Sequence, residues 1–281
     1  MTSRFFIGEG YASYQGPSAD NSLHRHAAYQ VTAAVEGEVT VIDERGACHR
    51  GPALIIPPMV RHRMPGAPDV RIWFVEPQCS YASALRDRCT PAPDRSSTGS
   101  GLSAAGGSSP AGSGLPPTVG SFGGSGFPSV GGVITAAADL HALREEDFRL
   151  VAEPRPSRAL DPRLVIAMEA LTSRNLLVAD AAAQAGLSPQ RLRALARLQL
   201  GMPLARWRIW RRLTRAARAL ADGRSIAEAA LDGGFADQAH FHRQLRDMLG
   251  LTPATVLPLL RRSAAGGHVD GDRAGQPRSA T

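Results

Sequence analysis

The sequence predicts a multidomain protein of α and β structure, with a small N-terminal β-barrel followed by an all-α domain. Short runs rich in Val, Ile and Ala alternate with turn residues over the first 80 positions, a pattern typical of a barrel or jelly roll. Two helix–turn–helix units, joined by one long helix, are indicated nearer the C-terminal end. A Gly/Ser/Pro-rich segment separates the two parts, and a chain of 281 residues is expected to form two domains.

The first domain, residues 1–89, contains four strand-like runs before a short helix. The runs are 29–35, 38–42, 53–57 and 70–75. Turn dipeptides such as Glu36-Gly37 and Arg45-Gly46 lie between them. Residues 80–88 then carry the composition of a helix, so this domain is predicted to end on helical structure.

The middle of the chain changes composition twice. Residues 90–132 contain few large apolar side chains and cannot offset their ordering entropy, so we expect a disordered linker. Helical character returns at 135–151, within a segment at 133–157 that would serve dimerisation or pack against the first domain. A Pro-rich hinge occupies 153–160, and residues 264–281 predict a frayed tail.

The second domain, residues 158–263, repeats one unit. Its later copy, 225–253, contains two amphipathic helices broken by Gly233-Gly234-Phe235, and its earlier copy, 178–203, contains a glycine followed by Ser188-Pro189. That dipeptide starts a helix well, with a hydroxyl at the N-cap and proline at the first helical position.

A linking helix is predicted between the two copies, over residues 203–222. About 18 residues of helix span ~27 Å, enough to hold the two helix–turn–helix units roughly one DNA turn (~34 Å) apart on one face. Asp161 and Pro162 are predicted to begin a further helix ahead of the first copy.

Residues 160–260 resemble the DNA-binding domain of the AraC/XylS family of bacterial transcription regulators. The resemblance is carried by Gly234-Phe235, Phe241, Arg243 and Gly250-Leu251-Thr252-Pro253. It implies a sequence-specific regulator without enzymatic activity. Ala194 and Ala196 depart from the family pattern, which usually has arginine and phenylalanine there, so we expect the first unit to pack more loosely and hold DNA less strongly.

The first domain resembles the cupin sensor domain of the same family. The matching residues are His24-Arg25-His26, Gly37, Pro57-Pro58 and His62. The resemblance implies a cupin-like jelly roll that binds a small-molecule effector.

Three histidines and a glutamine form the predicted effector pocket. His24 and His26, at i and i+2, share a face, and His62 would join them from a neighbouring strand; Gln30 completes the set. Three imidazoles can bind a metal ion. Metal-binding cupins, however, usually carry a glutamate four or five residues after the second histidine, where this chain has Gln30 or Val31. We therefore expect no cofactor, and a pocket or structural role for the histidines, with a metal as the alternative.

The residues expected to touch DNA lie on the second helix of each unit, which should enter the major groove. In the first unit they are Gln190, Arg191, Arg193 and Arg197, and in the second they are Gln238, Ala239, His242 and Arg243. The resemblance assigns base edges to Gln190, Arg193, Gln238 and His242, and phosphates to the other arginines. The linking-helix arginines Arg208, Arg211, Arg212 and Arg215 would contact phosphates or form a solvated face.

The charge distribution supports a DNA partner. Residues 158–265 carry 17 arginines against 8 acidic residues, whereas residues 1–157 carry 13 against 15. Three cysteines form no metal-type cluster, and no apolar run reaches the ~18 residues that a membrane span needs. We expect a cytoplasmic protein.

Two functional hypotheses follow. The leading one is an effector-controlled transcription regulator whose partners are double-stranded promoter DNA, a small molecule and, for an activator, RNA polymerase; homodimerisation is left open. The alternative is a metal-dependent cupin enzyme with a helical accessory domain, which requires stoichiometric metal at the three histidines.

Overall fold

The computed structural model describes residues 3–89, 134–142, 156–173, 176–249 and Pro258. The predicted linker at 90–132 and tail at 264–281 lie outside the described residues, as does most of the predicted helix at 135–151. None of the helices within the described ranges is long and apolar enough to cross a membrane.

The N-terminal domain is built from two antiparallel sheets and one helix. The strands are β1 (Arg4–Ile7), β2 (Tyr11–Ser18), β3 (Tyr29–Ala34), β4 (Val39–Asp43), β5 (Cys48–Gly51), β6 (Ala53–Ile56), β7 (His62–Arg63), β8 (Ala67–Val75) and β9 (Thr135–Ala136), and the helix is α1 (Ser80–Cys89). One sheet has six strands in the order β1-β2-β8-β3-β6-β9, and the other has three in the order β5-β4-β7.

The central strand β3 is buried along its whole length, and its side chains alternate between the two faces of the six-stranded sheet. On one face, Val31 and Trp73 pack with Ala82 and Leu85 of α1. On the other face, residues of β6 and β8 share a core with Val41 of the three-stranded sheet. The polar side chains of β3 point toward this second face, which places them beside a cavity described below.

The N-terminal domain has strands that the patterning did not locate, namely β1, β2, β5 and β7. It also differs after the linker. Residues 135–136 form β9 on the edge of β6 instead of beginning a helix, and a 3-10 turn follows at Ala138–Ala142. The composition at this point favours a helix, but the backbone gains sheet hydrogen bonds from β6. Leu140 is buried against the six-stranded sheet, so this segment packs on the first domain as far as it is described.

The C-terminal domain contains six described helices. They are α2 (Pro162–Ser173), α3 (Val178–Gln184), α4 (Pro189–Leu200), α5 (Leu204–Ala221), α6 (Ile226–Asp232) and α7 (Gln238–Leu249). The two predicted units are therefore α3–α4 and α6–α7, and the predicted linking helix is α5. Together with the β-rich N-terminal region, this arrangement confirms the predicted fold class.

The two units end their first helices in the same way. Leu187 N donates to Ala182 O at 2.8 Å, and Phe235 N donates to Ala230 O at 2.9 Å. Each of these bonds follows a glycine in the left-handed region, where only glycine avoids steric cost. The sequence repeat thus corresponds to a repeat of backbone conformation.

A continuous apolar core extends from the helices into the first domain. Trp207, Trp210, Phe241 and Leu245 are buried, as their helical spacing predicts, and Phe235 in the turn between α6 and α7 is buried as well. The same core includes the buried alanines at 27–28 of the N-terminal domain, and Phe5, Ile7 and Phe74 pack against it. The N-terminal domain therefore packs directly on α5 and α7.

Candidate nucleic-acid interface and effector cavity

The second helix of the first unit is positioned by its cap. Ser188 Oγ accepts a hydrogen bond from Arg191 N at 3.2 Å, and Pro189 occupies the first helical position. Leu192, Leu195 and Ala196 face the core. The four predicted DNA-contacting residues of this helix, Gln190, Arg191, Arg193 and Arg197, are all exposed on its outer side.

The second helix of the second unit has a comparable start. Asp237 Oδ1 accepts from His240 N at 2.6 Å, while Phe241, Leu245 and Met248 are buried. The predicted contacts Gln238, Ala239 and Arg243 are exposed, whereas His242 is half-buried and its Nε2 lacks a hydrogen-bond partner within the described residues. Seven of the eight predicted DNA contacts therefore lie on open helix faces.

The turn of the second unit is fixed against α5 by close backbone packing. A Cβ placed on Gly233 would lie 2.9 Å from both Ala216 Cβ and Arg212 O. Gly234 adopts φ +80° and completes the turn. The orientation of α6 and α7 on the linking helix thus depends on the absence of a side chain at position 233.

The four linking-helix arginines are half-buried, and two of them are bonded within the protein. Arg211 Nη1 donates to Glu76 at 2.9 and 2.7 Å, and Arg215 donates to Thr172 O and Gly233 O. Burial, followed by repulsion from neighbouring arginines, lowers the pKa of both Arg208 and Arg215. Helix α5 is central to the molecule, and the bonds from Arg211 and Arg215 connect it to the elements packed around it.

The three predicted pocket histidines come together; His62 begins β7, whereas His24 and His26 lie outside the named strands. His24 and His62 pair through an isolated antiparallel bridge, with backbone bonds of 3.0 and 2.9 Å. His26 follows in the loop before β3, and its Nε2 lies 3.0 Å from Nε2 of His24. One nitrogen from each ring lies within 4.8 Å of the others, and all three residues are buried.

Backbone carbonyls orient two of the three rings. Nδ1 of His24 donates to Ser22 O at 2.7 Å, and Nδ1 of His62 donates to Val60 O at 3.0 Å. Both rings therefore turn Nε2 toward the cluster, where Gln30 Oε1 lies 3.1 Å from Nε2 of His62. Gln30 is held in turn by Nε2 donating to Thr32 Oγ1 at 2.7 Å.

The cluster favours neutral imidazoles. Burial lowers the pKa of His62 to about 3, with a further contribution from His24. Burial also lowers the pKa of His24, and it lowers that of His26 well below its usual range, assisted by the two neighbouring histidines. Neutral rings can accept hydrogen bonds or bind metal ions through the unprotonated nitrogen.

A cavity opens beside this cluster, with an empty volume of about 750 Å³, part of it open to solvent. His24, His26 and Gln30 line this cavity. His62 lies behind them and is hydrogen-bonded to Gln30. Apolar walls come from both domains, since Phe74 lies on β8 and Leu249 ends α7. Three of the four predicted pocket residues thus line a cavity, and the role of all four in effector binding remains a prediction.

A second cavity, with an empty volume of about 600 Å³, lies between the sheet and the helices. Its lining is almost wholly apolar and includes Trp210, Leu213 and Phe241. Phe5, Phe74 and Leu249 line both cavities, so these side chains form the wall between them.

The domain interface also contains a buried polar group. The side chain of Glu76 is 3 % exposed, and its carboxylate accepts hydrogen bonds from Arg211 of α5. Trp207 Nε1 donates to Gln78 Oε1 at 3.0 Å. Arg218 donates to Gly8 O at 2.7 Å. These contacts connect the end of β8 and the β1–β2 turn to the linking helix.

Sequence patterning missed the residues that meet across the interface. Phe74 and Glu76 lie far from Leu249 and from Arg211 in the chain, and nothing in their local spacing marks them as partners. The alternation along β8 does place Phe74 on the cavity face with Ile72, which is the one signal available before the fold is known.

Comparison with known proteins agrees with this architecture. Residues 181–258 match the family model described as a helix-turn-helix domain. Among solved structures, ToxT from Vibrio cholerae aligns over 90 % of this chain and 99 % of its own, with 10 % identity and a TM-score of 0.51. Unsaturated fatty acid-bound wild-type ToxT aligns over 91 % and 98 %, with 8 % identity and a TM-score of 0.50.

A shorter structure, an AraC-type regulator from Chromobacterium violaceum, aligns over 38 % of this chain and 95 % of its own, with 29 % identity and a TM-score of 0.33. No curated protein matches the chain significantly. The likeness to ToxT concerns the fold alone. The C-terminal part of this chain contains a helix-turn-helix domain, in agreement with the AraC/XylS resemblance of the sequence.

Proposed function

We propose that this protein is a sequence-specific DNA-binding transcription regulator, controlled by a small molecule bound in its N-terminal domain, and that it has no enzymatic activity. The observation that carries the proposal is the duplicated unit, in which α4 and α7 each have one buried face and one exposed polar face. Two such helices on one linking helix suit two successive major-groove contacts. Promoter DNA as the partner places the protein in the cytoplasm.

Two exposed residues of α7 have different roles in this proposal. Gln238 begins the helix, where it can bond adenine bidentately, and Arg243 lies five residues further along, where its guanidinium would bond a phosphate. A bidentate base contact discriminates by about 1–3 kcal/mol, whereas a phosphate contact is insensitive to sequence.

Selection of bound fragments from genomic DNA, followed by sequencing, would first define the binding site. On that site Gln238→Ala should relax the preference at one base position and leave the salt dependence nearly unchanged. Arg243→Ala should weaken binding to all sequences and reduce the slope of log K against log salt by about 1. Arg246→Ala is the matched control, because it removes one exposed arginine from the same helix. Equal losses in all three variants, with no change in base preference, would refute the assignment.

The cavities indicate the class of effector. The first offers ring nitrogens and amide groups, the second is almost wholly apolar, and Phe5, Phe74 and Leu249 line both. An amphipathic molecule with a polar end and an apolar body fits this arrangement. ToxT, which shares the fold, has been solved with an unsaturated fatty acid, and that chemistry is of the same class.

Effector binding would act on DNA binding through the interface. A ligand shifts an equilibrium only by its differential affinity for the two states. Leu249 of α7 lines both cavities, so a ligand that occupies them contacts the helix that reads DNA. The positions of the binding sites in the promoter would determine whether the protein dimerises and whether it recruits RNA polymerase. The duplicated unit does not by itself require a dimer.

A further inference from the structure

We propose that the molecule bound in the two cavities carries no charge, and that its polar end is a hydroxyl or carbonyl group held near Ser18 in the first cavity. The inference narrows the amphipathic class named above to its uncharged members. It rests on the proposed role of the cavities in effector binding, and the groups that line the cavities carry it.

Neither cavity has an ionic lining. Among the described residues that form the walls, none is aspartate, glutamate, lysine or arginine. An ion that enters such a space loses its hydration without gaining a counter-charge, whereas a hydroxyl or carbonyl group needs only hydrogen bonds. A ligand with a carboxylate or ammonium end is therefore disfavoured.

The histidines that line the first cavity do not supply the absent cation. His24 and His26 are buried, and their ring centroids lie 4.6 Å apart. A proton added to either ring would place a charge away from water and against the other imidazole. Burial accordingly lowers the pKa of both rings. A ligand therefore meets these histidines as neutral hydrogen-bonding groups.

Two buried polar atoms of the first cavity are available to a ligand. Ser18 Oγ and Nδ1 of His26 make no hydrogen bond of ordinary geometry within the described part of the chain, and both residues line this cavity. Buried polar atoms are nearly always hydrogen-bonded in folded proteins, so an unpaired atom beside a cavity needs an explanation. A ligand hydroxyl satisfies either atom, because it can both donate and accept.

Two other polar side chains of this wall are already engaged within the protein. The Tyr14 hydroxyl donates to a backbone carbonyl at 2.7 Å, and Gln30 Nε2 donates to Thr32 Oγ1 at 2.7 Å. Because these groups have partners, the polar end of the ligand is assigned to Ser18 and His26.

The second cavity suits the apolar part of the same molecule. Thr214 is the one polar residue in its described lining, and the Thr214 hydroxyl donates to the backbone of its own helix at 3.0 Å. Phe5, Phe74 and Leu249 line both cavities, so the two spaces are neighbours. An apolar body directed away from Ser18 therefore packs against these three side chains.

Three ligands of equal chain length test the charge directly. They are 1-octanol, octanoate and octylammonium, each titrated calorimetrically into the protein near neutral pH. We expect 1-octanol to bind at least tenfold more tightly than either ion, because it alone avoids an unpaired charge.

The outcomes separate this inference from the proposed function. Tighter binding of either ion would overturn the uncharged polar end and leave the regulator standing. Binding of none of the three would overturn the inference together with the effector role of the cavities. Failure to select any DNA, with 1-octanol bound as expected, would count against DNA-binding regulation alone.

A substitution at Ser18 locates the polar end. Ser18→Ala should weaken 1-octanol binding about fivefold, the effect of one hydrogen bond, without lowering the melting temperature, because the hydroxyl is unpaired in the free protein. Ser13→Ala is the matched control, since Ser13 lies on the same strand and outside both linings. Equal affinities of the two variants for 1-octanol would overturn the placement of the polar end.

A reversal of charge preference guards against misfolding. Ala19 is exposed and lines the first cavity, so Ala19→Arg adds a cation at its edge without filling a buried site. We expect octanoate to gain at least tenfold in affinity relative to 1-octanol in this variant. Gln15→Arg, which adds the same cation at an exposed position of β2 outside the linings, should leave the ratio unchanged. The same ratio in both variants would contradict an end group held in the first cavity.

Discussion

Buried side chains with unusual proton affinity occur in this protein outside the histidine cluster as well. Burial raises the pKa of Cys79 to about 12, with a further contribution from Glu76, and burial raises the pKa of Cys89 to about 11. Cys48, in contrast, is exposed on β5. Since the thiolate is the reactive form, the three thiols should differ strongly in reactivity.

We predict that a thiol reagent modifies one of the three cysteines in the native protein and all three in guanidinium chloride. Because the unfolded thiols ionise near pH 9 and the folded ones well above it, the unfolded state loses protons first. The free energy of unfolding should therefore fall as the pH rises above about 9. Cys48→Ser should abolish native labelling; labelling of buried thiols at pH 8 in that variant would contradict the burial of Cys79 and Cys89.

At the same scale, the sequence predicts the histidine cluster but not the residues of the domain interface beside it. The i, i+2 spacing of His24 and His26 is a local signal, and His62 follows the proline pair of the family pattern. The pair formed by Glu76 and Arg211 has no such signal, because it joins residues 135 positions apart across two domains. Only the packing of α5 against β8 creates it.

Among the elements of secondary structure, the helices of the C-terminal domain are specified most completely by signals in the neighbouring sequence. Ser225 and Glu228 form a capping box, Ser188 caps α4, and glycines in the left-handed region close α3 and α6. These signals agree with the apolar periodicity, so the helix positions were predictable. The strand β9 was not, because its edge pairing with β6 outweighs a sequence that favours helix.

The second unit should depend on Gly233 for packing rather than for backbone freedom. Its φ is −67°, which alanine adopts readily, but a Cβ would lie 2.9 Å from Arg212 O and Ala216 Cβ of α5. We predict that Gly233→Ala lowers the free energy of unfolding by about 2 kcal/mol through overpacking, and shifts α6 and α7. Footprinting should show loss of protection at the half-element that α7 contacts.

Gly186→Ala provides the comparison in the first unit. Gly186 has φ +64° and open space around its Cβ position, so alanine there incurs backbone strain of about 1 kcal/mol without a steric clash. Both half-elements should remain protected in this variant. Loss of the same half-element in both variants would show that instability, and not the packing of Gly233, is responsible.

For the whole molecule, the interface combines apolar and charged contacts. Trp210 packs against Phe74 with ring centroids 5.9 Å apart, and the apolar core is continuous from the helices to the alanines at 27–28. Glu76 is buried and Arg211 is about a quarter exposed. A pair of this kind is costly to break from one side, because the remaining group loses its partner.

Continuity of the core predicts how the protein unfolds. We expect the full-length protein to melt in one calorimetric transition, because the two domains share buried surface. Glu76→Ala removes the acceptor for Arg211 and should weaken the interface by about 3 kcal/mol, so that the helical domain melts first and two transitions appear. Glu38→Ala, which removes an exposed acidic group from the same domain, should keep one transition. If the two variants melt alike, the charged pair does not couple the domains, and any effector signal must pass through the apolar wall formed by Phe74 and Leu249.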